Sequence, residues 1–122
     1  NIDLPSEQIK NKYLTESIDF YYFFIRKVIL SFSAEAYIFS PGGYGTLDEF
    51  FETVTLIQTG KIPHVPIILV GNDFWQPLQH FIEKELYQKH KAIDKEDMNF
   101  YTITEDEDKI LEIVRNAPLR KV

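Results

Sequence analysis

The sequence predicts an α/β fold in which a parallel sheet is flanked by helices. Short apolar runs typical of buried strands alternate along the chain with segments whose apolar residues recur at helical spacing. Each predicted strand is followed by its own helix, an order that favours right-handed parallel crossovers rather than hairpins. We therefore expect a Rossmann-like sheet.

The chain opens on a polar lead-in, residues 1–16, rather than on a strand. A complete doubly wound sheet has more strands than the three predicted here and begins with one. We therefore expect residues 1–122 to be the C-terminal part of a single Rossmann-like domain whose N-terminal βαβ portion lies outside this chain.

Composition narrows the classes of function. Apolar residues make up 44% of the chain, so a hydrophobic core is expected, and the lack of cysteine excludes disulfides, thiolate catalysis and Cys-ligated metals. Thirteen basic residues face nineteen acidic ones, and no basic stripe indicates nucleic-acid binding. No apolar run approaches the roughly 20 residues of a membrane helix, and no signal-peptide pattern is present. We expect a cytoplasmic protein without nucleic-acid or membrane partners.

The first predicted elements lie on either side of a glycine-rich turn. Residues 18–25 are aromatic-rich and could begin as a strand, after which helical spacing covers residues 23–33. An apolar run at residues 36–39 is typical of a buried parallel strand. From Thr46 the period becomes helical and ends before Gly60, which favours a helix end. The residues expected on the apolar face of this helix are Leu47, Phe50, Phe51, Val54 and Ile57.

The C-terminal half repeats the strand–helix order twice. Residues 67–70 predict a second buried strand, and a helix follows over residues 73–89. Residues 100–103 predict a third strand, and residues 104–116 a last helix. The residues of that helix expected to face inward are Ile110, Leu111 and Val114.

Residues 40–46, Ser-Pro-Gly-Gly-Tyr-Gly-Thr, connect the first strand to the long helix; we call this segment the glycine turn. Glycines let a backbone approach a ligand closely and adopt dihedral angles closed to other residues. The first amides of the following helix lack intrahelical acceptors, and the helix dipole favours an anion there. We therefore predict that Gly42, Gly43, Gly45 and Thr46 bind a nucleotide phosphate; the alternative is a tight turn with a helix cap.

Glu49 follows Thr46 by three residues and admits two interpretations. In one, the pair forms a capping box that folds Glu49 back onto the helix start. In the other, Glu49 is a carboxylate one turn into the helix that faces the sugar of a bound nucleotide. Asp48 is expected to point about 100° away around the helix, whereas Glu52 shares the face of Glu49 as a solvated or supporting group.

The other residues with reactive side chains indicate no second site. Arg26 and Lys27 end an aromatic segment, where a lone pair of bases is typical of a helix surface. His64, His80 and His90 lack ligand-like spacing, and no Ser–His–Asp arrangement or metal-binding cluster emerges. No metal or other cofactor is therefore expected.

Two motifs together resemble the paired signature of the LOG (Lonely Guy) family, whose members have also been labelled lysine decarboxylases. The first is Arg26-Lys27-x-x-Leu30, and the second is Pro-Gly-Gly-x-Gly-Thr-x-x-Glu at residues 41–49. The resemblance covers about residues 4–75, and Leu30 stands where many members have Met. The decarboxylase label has no support in the sequence, because no lysine resembles one held for pyridoxal phosphate.

The resemblance implies hydrolysis of the N-glycosidic bond of a nucleoside 5′-monophosphate, either AMP or a cytokinin ribotide, to a free base and ribose 5-phosphate. It implies that Arg26 and Glu49 are catalytic and that the residues of the glycine turn named above bind the 5′-phosphate. It also implies a homodimer with the site near the subunit interface, and no metal or redox cofactor.

Two alternatives stay open at this point. A related group with a similar glycine turn carries the molybdenum cofactor, and such a non-catalytic nucleotide or cofactor carrier would use the anion site without needing Glu49 beside Arg26. The second alternative is a fragment or paralogue that assembles but has no activity. Release of adenine from AMP distinguishes the hydrolase from both.

Overall fold

The computed structural model describes residues 9–119, apart from the side chain of Phe23. The part of the family resemblance at residues 4–8 lies outside this range. The chain divides into two compact units, Asn1–Ala34 and Glu35–Val122. None of the helices within residues 9–119 is both long enough and apolar enough to cross a bilayer.

Within residues 9–34, the described part of the first unit, there is one helix, α1 (Phe23–Ser33), whose bounds agree with the predicted ones. The strand expected over residues 18–25 does not form, because only Phe20 makes an isolated bridge. Tyr22 has an extended backbone and precedes the helix, and its carbonyl accepts the first helical hydrogen bond from the Arg26 amide. Helical spacing therefore overrides the strand propensity of the aromatic residues in this segment.

The second unit contains a three-stranded parallel sheet in the order β1 (Tyr37–Phe39), β2 (Ile67–Leu69) and β3 (Tyr101–Ile103). The central strand β2 pairs with both neighbours, and all three of its residues are buried. This arrangement confirms the predicted parallel sheet, since a strand covered on both faces reads as a continuous apolar run.

Each strand leads into a helix: α2 (Tyr44–Gln58), α3 (Asn72–Phe81) and α4 (Glu107–Arg115). Three helix starts differ from the expected ones, and that of α3 differs by a single residue. The helix α2 begins two residues before Thr46, and α4 begins three residues after Thr104 because the side chain of Asp106 caps it by accepting hydrogen bonds from two amides. The alternation of strand and helix is confirmed.

The helix predicted over residues 73–89 changes type in its second half. The α-helical part ends at Phe81 and continues as a π-helix over Ile82–Lys89, whose last hydrogen bond joins the His90 amide to the Glu85 carbonyl, five residues back. A short 3₁₀ helix, Lys95–Asn99, then leads into β3. Apolar spacing does not distinguish these helix types.

The core of the second unit is centred on Phe50, which is 1% exposed. Its ring lies 5.5 Å from that of Trp75 and 5.2 Å from that of Tyr101, so α2 is fastened to α3 and to the sheet. Some predicted core positions are wrong, since Phe51 is 37% exposed and Leu111 is 49% exposed. The buried hydrophobic residues are Phe50, Ile57, Ile62, Val65, Ile67, Ile68, Leu69, Trp75 and Ile82.

Tyr101 makes the stability of this unit sensitive to alkaline pH. Burial, together with the nearby Glu83 carboxylate, raises the pKa of Tyr101 from 10.0 to about 12, and its hydroxyl donates a hydrogen bond to the Gln79 side chain. In the unfolded chain Tyr101 ionises at a lower pH than it does in the folded protein. The neutral Tyr101 side chain therefore contributes its full stabilisation below pH 10, and this contribution is lost as the pH rises to about 12. We expect Tyr101→Phe to flatten the fall in unfolding free energy across this interval, as measured by urea denaturation. An unchanged slope would contradict this assignment.

Candidate functional site

The carboxyl ends of the three parallel strands bring three loops to one edge of the sheet. The ladder extends past each strand end, because the Val70 amide donates to the Phe39 carbonyl at 2.9 Å and the Thr104 amide to the Leu69 carbonyl at 3.0 Å. In open α/β sheets this edge is where ligands bind. The glycine turn follows β1 and therefore lies at this edge.

The glycine turn leads into α2 without a side-chain cap. Gly43 is the N-cap residue, has an extended backbone and accepts a hydrogen bond from the Leu47 amide at 3.2 Å. The amides of Tyr44, Gly45 and Thr46 precede this first helical bond and point out of the helix end. Together with the helix dipole, they form a positively polarised surface at the turn.

Of the three glycines of the turn, only Gly42 is required for space, and none is required for an unusual dihedral angle. None of them has a positive φ, so the expectation that they adopt backbone angles closed to other residues is wrong. A Cβ on Gly42 would overlap the Thr46 hydroxyl and lie 2.9 Å from the Thr46 Cβ. At Gly43 and Gly45 a Cβ would meet no described atom within 4 Å, so the surface beside the amides is open.

Tyr44 is the large side chain of the glycine turn, and its place in the motif predicts no role for it. Its ring is 94% exposed, and it lies between Gly43 and Gly45 in the first turn of α2. The turn is therefore not filled by its own side chains. An anion can reach the amides from the solvent side.

Glu49 lies in α2 beyond the reach of the helix start. Because Gly43 is the N-cap residue, Thr46 is the third residue of the helix, and the capping-box interpretation of Thr46 and Glu49 is wrong. The Glu49 side chain is half-buried, and its backbone carbonyl accepts a 2.8 Å hydrogen bond from the buried Thr53 hydroxyl. Glu49 also neighbours Phe50, whose burial holds this part of the helix against the sheet.

Glu49 belongs to a cluster of three carboxylates. Oxygen atoms of Asp48, Glu49 and Glu52 all lie within 4.8 Å of one another, so the expectation that Asp48 points away is wrong. Carboxylate oxygens of this kind are ligands for hard cations such as Mg²⁺ and Ca²⁺. Exposed acidic groups also cluster without any ion, and the cluster alone assigns no metal site.

Arg26 and Lys27 lie on α1 in the first unit, and both are half-buried rather than fully exposed. Arg26 lines an open cavity of about 590 Å³ together with side chains from residues 9–18. Partial burial in a cavity differs from the surface charge expected of a lone pair of bases.

Comparison with known proteins adds to this geometry. A family model described as "Possible lysine decarboxylase" matches residues 1–114. A cytokinin riboside 5′-monophosphate phosphoribohydrolase from Rhodococcoides fascians is 36% identical over 58 residues, which are 48% of this chain and 29% of that protein.

Two plant proteins that are also named cytokinin riboside 5′-monophosphate phosphoribohydrolase are similar as well. The protein LOG of Oryza sativa subsp. japonica is 42% identical over 70 residues, or 57% of this chain and 28% of that protein. The protein LOG7 of Arabidopsis thaliana is 42% identical over 60 residues, or 48% of this chain and 27% of that protein. The matched part of this chain thus spans less than a third of the length of each of these relatives.

Proposed function

Because this chain belongs to the LOG family, the family described as possible lysine decarboxylases, we propose that it is part of a nucleoside 5′-monophosphate phosphoribohydrolase. Such an enzyme adds water across the N-glycosidic bond, so that the bond between C1′ and the base breaks and ribose 5-phosphate and the free base are released. The observation that carries the proposal is the uncapped, open start of α2, with Glu49 one turn deeper in the same helix.

The amides of Tyr44, Gly45 and Thr46 hold the 5′-phosphate in this proposal. Backbone amides at a helix start bind anions and do not themselves gain or lose protons. Hydrogen bonds to a charged acceptor are about twice as strong as neutral ones. Gly42 and Gly43 carry no side chains, so the phosphate approaches the backbone closely. The phosphate then supplies binding energy that orients the ribose, remote from the bond that breaks.

Glu49 acts on the sugar. Departure of the base leaves positive charge on the ribose ring, as in other glycoside cleavage, and a carboxylate stabilises this charge or accepts a proton from the attacking water. The half-buried position of Glu49 supports this role, since its side chain keeps partial contact with solvent.

Arg26 acts on the phosphate or on the departing base. A guanidinium makes two parallel hydrogen bonds to an anion, a geometry that the point charge of lysine does not reproduce. The family resemblance, rather than a measured distance, assigns Arg26 and Glu49 to the same reaction. The names of the relatives favour a cytokinin riboside 5′-monophosphate as substrate, with AMP as the simpler alternative, and the resemblance favours a homodimer.

Base release by the complete protein tests the proposal. The protein is incubated separately with AMP and with a cytokinin riboside 5′-monophosphate, and free base and ribose 5-phosphate are quantified by chromatography. We expect both products in equal amounts, and none from the nucleoside that lacks the phosphate. Tight binding of the nucleotide without any base release would instead favour a carrier of nucleotide or molybdenum cofactor.

A further inference from the structure

A second helix starts at the same edge of the sheet as the glycine turn, but its first amide is already bonded. The helix α3 begins at Asn72, directly after β2, and the Asn72 amide donates a 2.7 Å hydrogen bond to the Glu105 side chain. Glu105 follows β3 in the neighbouring loop. A carboxylate of the chain thus occupies at α3 the kind of position that α2 leaves open.

The loop that starts α3 also touches the glycine turn. Gly71 has a φ of 112°, and a Cβ on this residue would lie 2.9 Å from Cγ of Pro41, the residue that precedes the two glycines. The Trp75 side chain also fixes this loop. Its Nε1 donates a hydrogen bond to the Val70 carbonyl at 3.1 Å, and the side chain is fully buried.

We propose that Glu105 is a positioning residue for the phosphate-binding backbone of the glycine turn. Its side chain accepts a hydrogen bond from the Asn72 amide and so fixes the start of α3. The adjoining Gly71 packs closely against Pro41 and so limits its movement. This inference rests on the proposed function for the identity of the anion, but the coupling between the two loops is a property of the fold itself. The sequence pattern gave no sign of it beyond an acidic residue soon after a strand.

In this proposal Glu105 affects binding of the anion rather than the chemical step. Loss of the Glu105 acceptor leaves the Asn72 amide to water and lets the first turn of α3 fray, since local opening is easiest where backbone bonds are exposed. Pro41 then loses a fixed neighbour, and the amides of Gly43 to Thr46 sample more positions. An anion pays this ordering cost when it binds.

The test compares Glu105→Ala with Glu105→Gln in the complete protein, because the glutamine side chain still offers a carbonyl oxygen to the Asn72 amide. Glu105→Asp, which withdraws the acceptor by one methylene, serves as a milder variant should the alanine variant unfold. Glu112→Ala, an exposed position on α4, is the matched control for loss of one acidic side chain.

Two readouts separate this inference from the proposed activity. Amide hydrogen exchange of Leu47, whose amide donates to the Gly43 carbonyl and so reports on the start of α2, is expected without nucleotide to be about fivefold faster in Glu105→Ala. It is expected to stay close to wild type in Glu105→Gln and in the control. The KM for AMP is expected to rise by a similar factor in Glu105→Ala with kcat within about twofold, and to be restored in Glu105→Gln.

Faster exchange at Asn72 with unchanged exchange at Leu47 would overturn the inference, whether or not the protein releases base. A lower KM in Glu105→Gln would also overturn it, because that result would mean that the charge of Glu105 repels the phosphate and that its hydrogen bond does not position the turn. If the wild-type protein releases no base, the proposed function fails and the exchange data alone decide this inference.

Discussion

Glu49→Gln is expected to lower base release by about 10²-fold or more while nucleotide binding is kept. The amide has nearly the shape of the carboxylate, so the half-buried position in α2 is filled as before. It carries no negative charge and accepts no proton from water. The loss therefore falls on kcat, measured with saturating AMP, while the dissociation constant measured by calorimetry stays within a fewfold of wild type.

Asp48→Asn is the matched control for this variant. Asp48 is on the same helix and offers an oxygen within 4.8 Å of the Glu49 carboxylate, so both substitutions remove one charge from the same carboxylate cluster. We expect Asp48→Asn to retain most of the turnover, because its more exposed side chain neighbours the proposed catalytic group without replacing it. Wild-type turnover in Glu49→Gln would remove Glu49 from the mechanism.

Gly42→Ala is expected to abolish measurable nucleotide binding and to destabilise the protein by about 1–3 kcal/mol. The added methyl group would overlap the Thr46 hydroxyl and lie 2.9 Å from the Thr46 Cβ, an atom that no change of rotamer moves away. The backbone of the turn must therefore move, and with it the amides that hold the phosphate. Calorimetric titration with AMP and thermal unfolding of the same preparation measure both effects.

Gly45→Ala is the control for a methyl group added within the same turn. Its Cβ meets no described atom within 4 Å, and alanine favours a helix over glycine by up to about 1 kcal/mol, so we expect equal or higher stability. A fall in AMP affinity in this stable variant would report a ligand close to Gly45. Wild-type stability together with wild-type affinity in Gly42→Ala would contradict the account of the turn.

Much of the second unit follows from its sequence because strand and turn signals coincide there. The run before Pro41 and the run before Gly71 are both apolar and both end at residues that stop strands, and the structure places β1 and β2 there. The π-helix and the exposure of Leu111 were not predictable in this way. Periodicity identifies an apolar face, but it does not tell which part of that face another element covers.

The sequence predicted which residues form the glycine turn, but not the geometry of the turn. Spacing placed Thr46 at the helix start, whereas two consecutive glycines allow the chain to turn earlier, with Gly43 as the N-cap residue. The angle between successive residues predicted that Asp48 diverges from Glu49, but side chains of this length converge again beyond their Cβ atoms. The sequence interval between Arg26 and Glu49 does not predict the distance between their side chains, since the two residues belong to different compact units.

The most direct test of the central claim is a crystal structure of the complete protein carrying Glu49→Gln, grown with AMP. The account predicts that the 5′-phosphate accepts hydrogen bonds from the amides of Tyr44, Gly45 and Thr46, with the side chain at position 49 within hydrogen-bond distance of the ribose. A phosphate bound away from the start of α2, or a ribose out of reach of position 49, would contradict it.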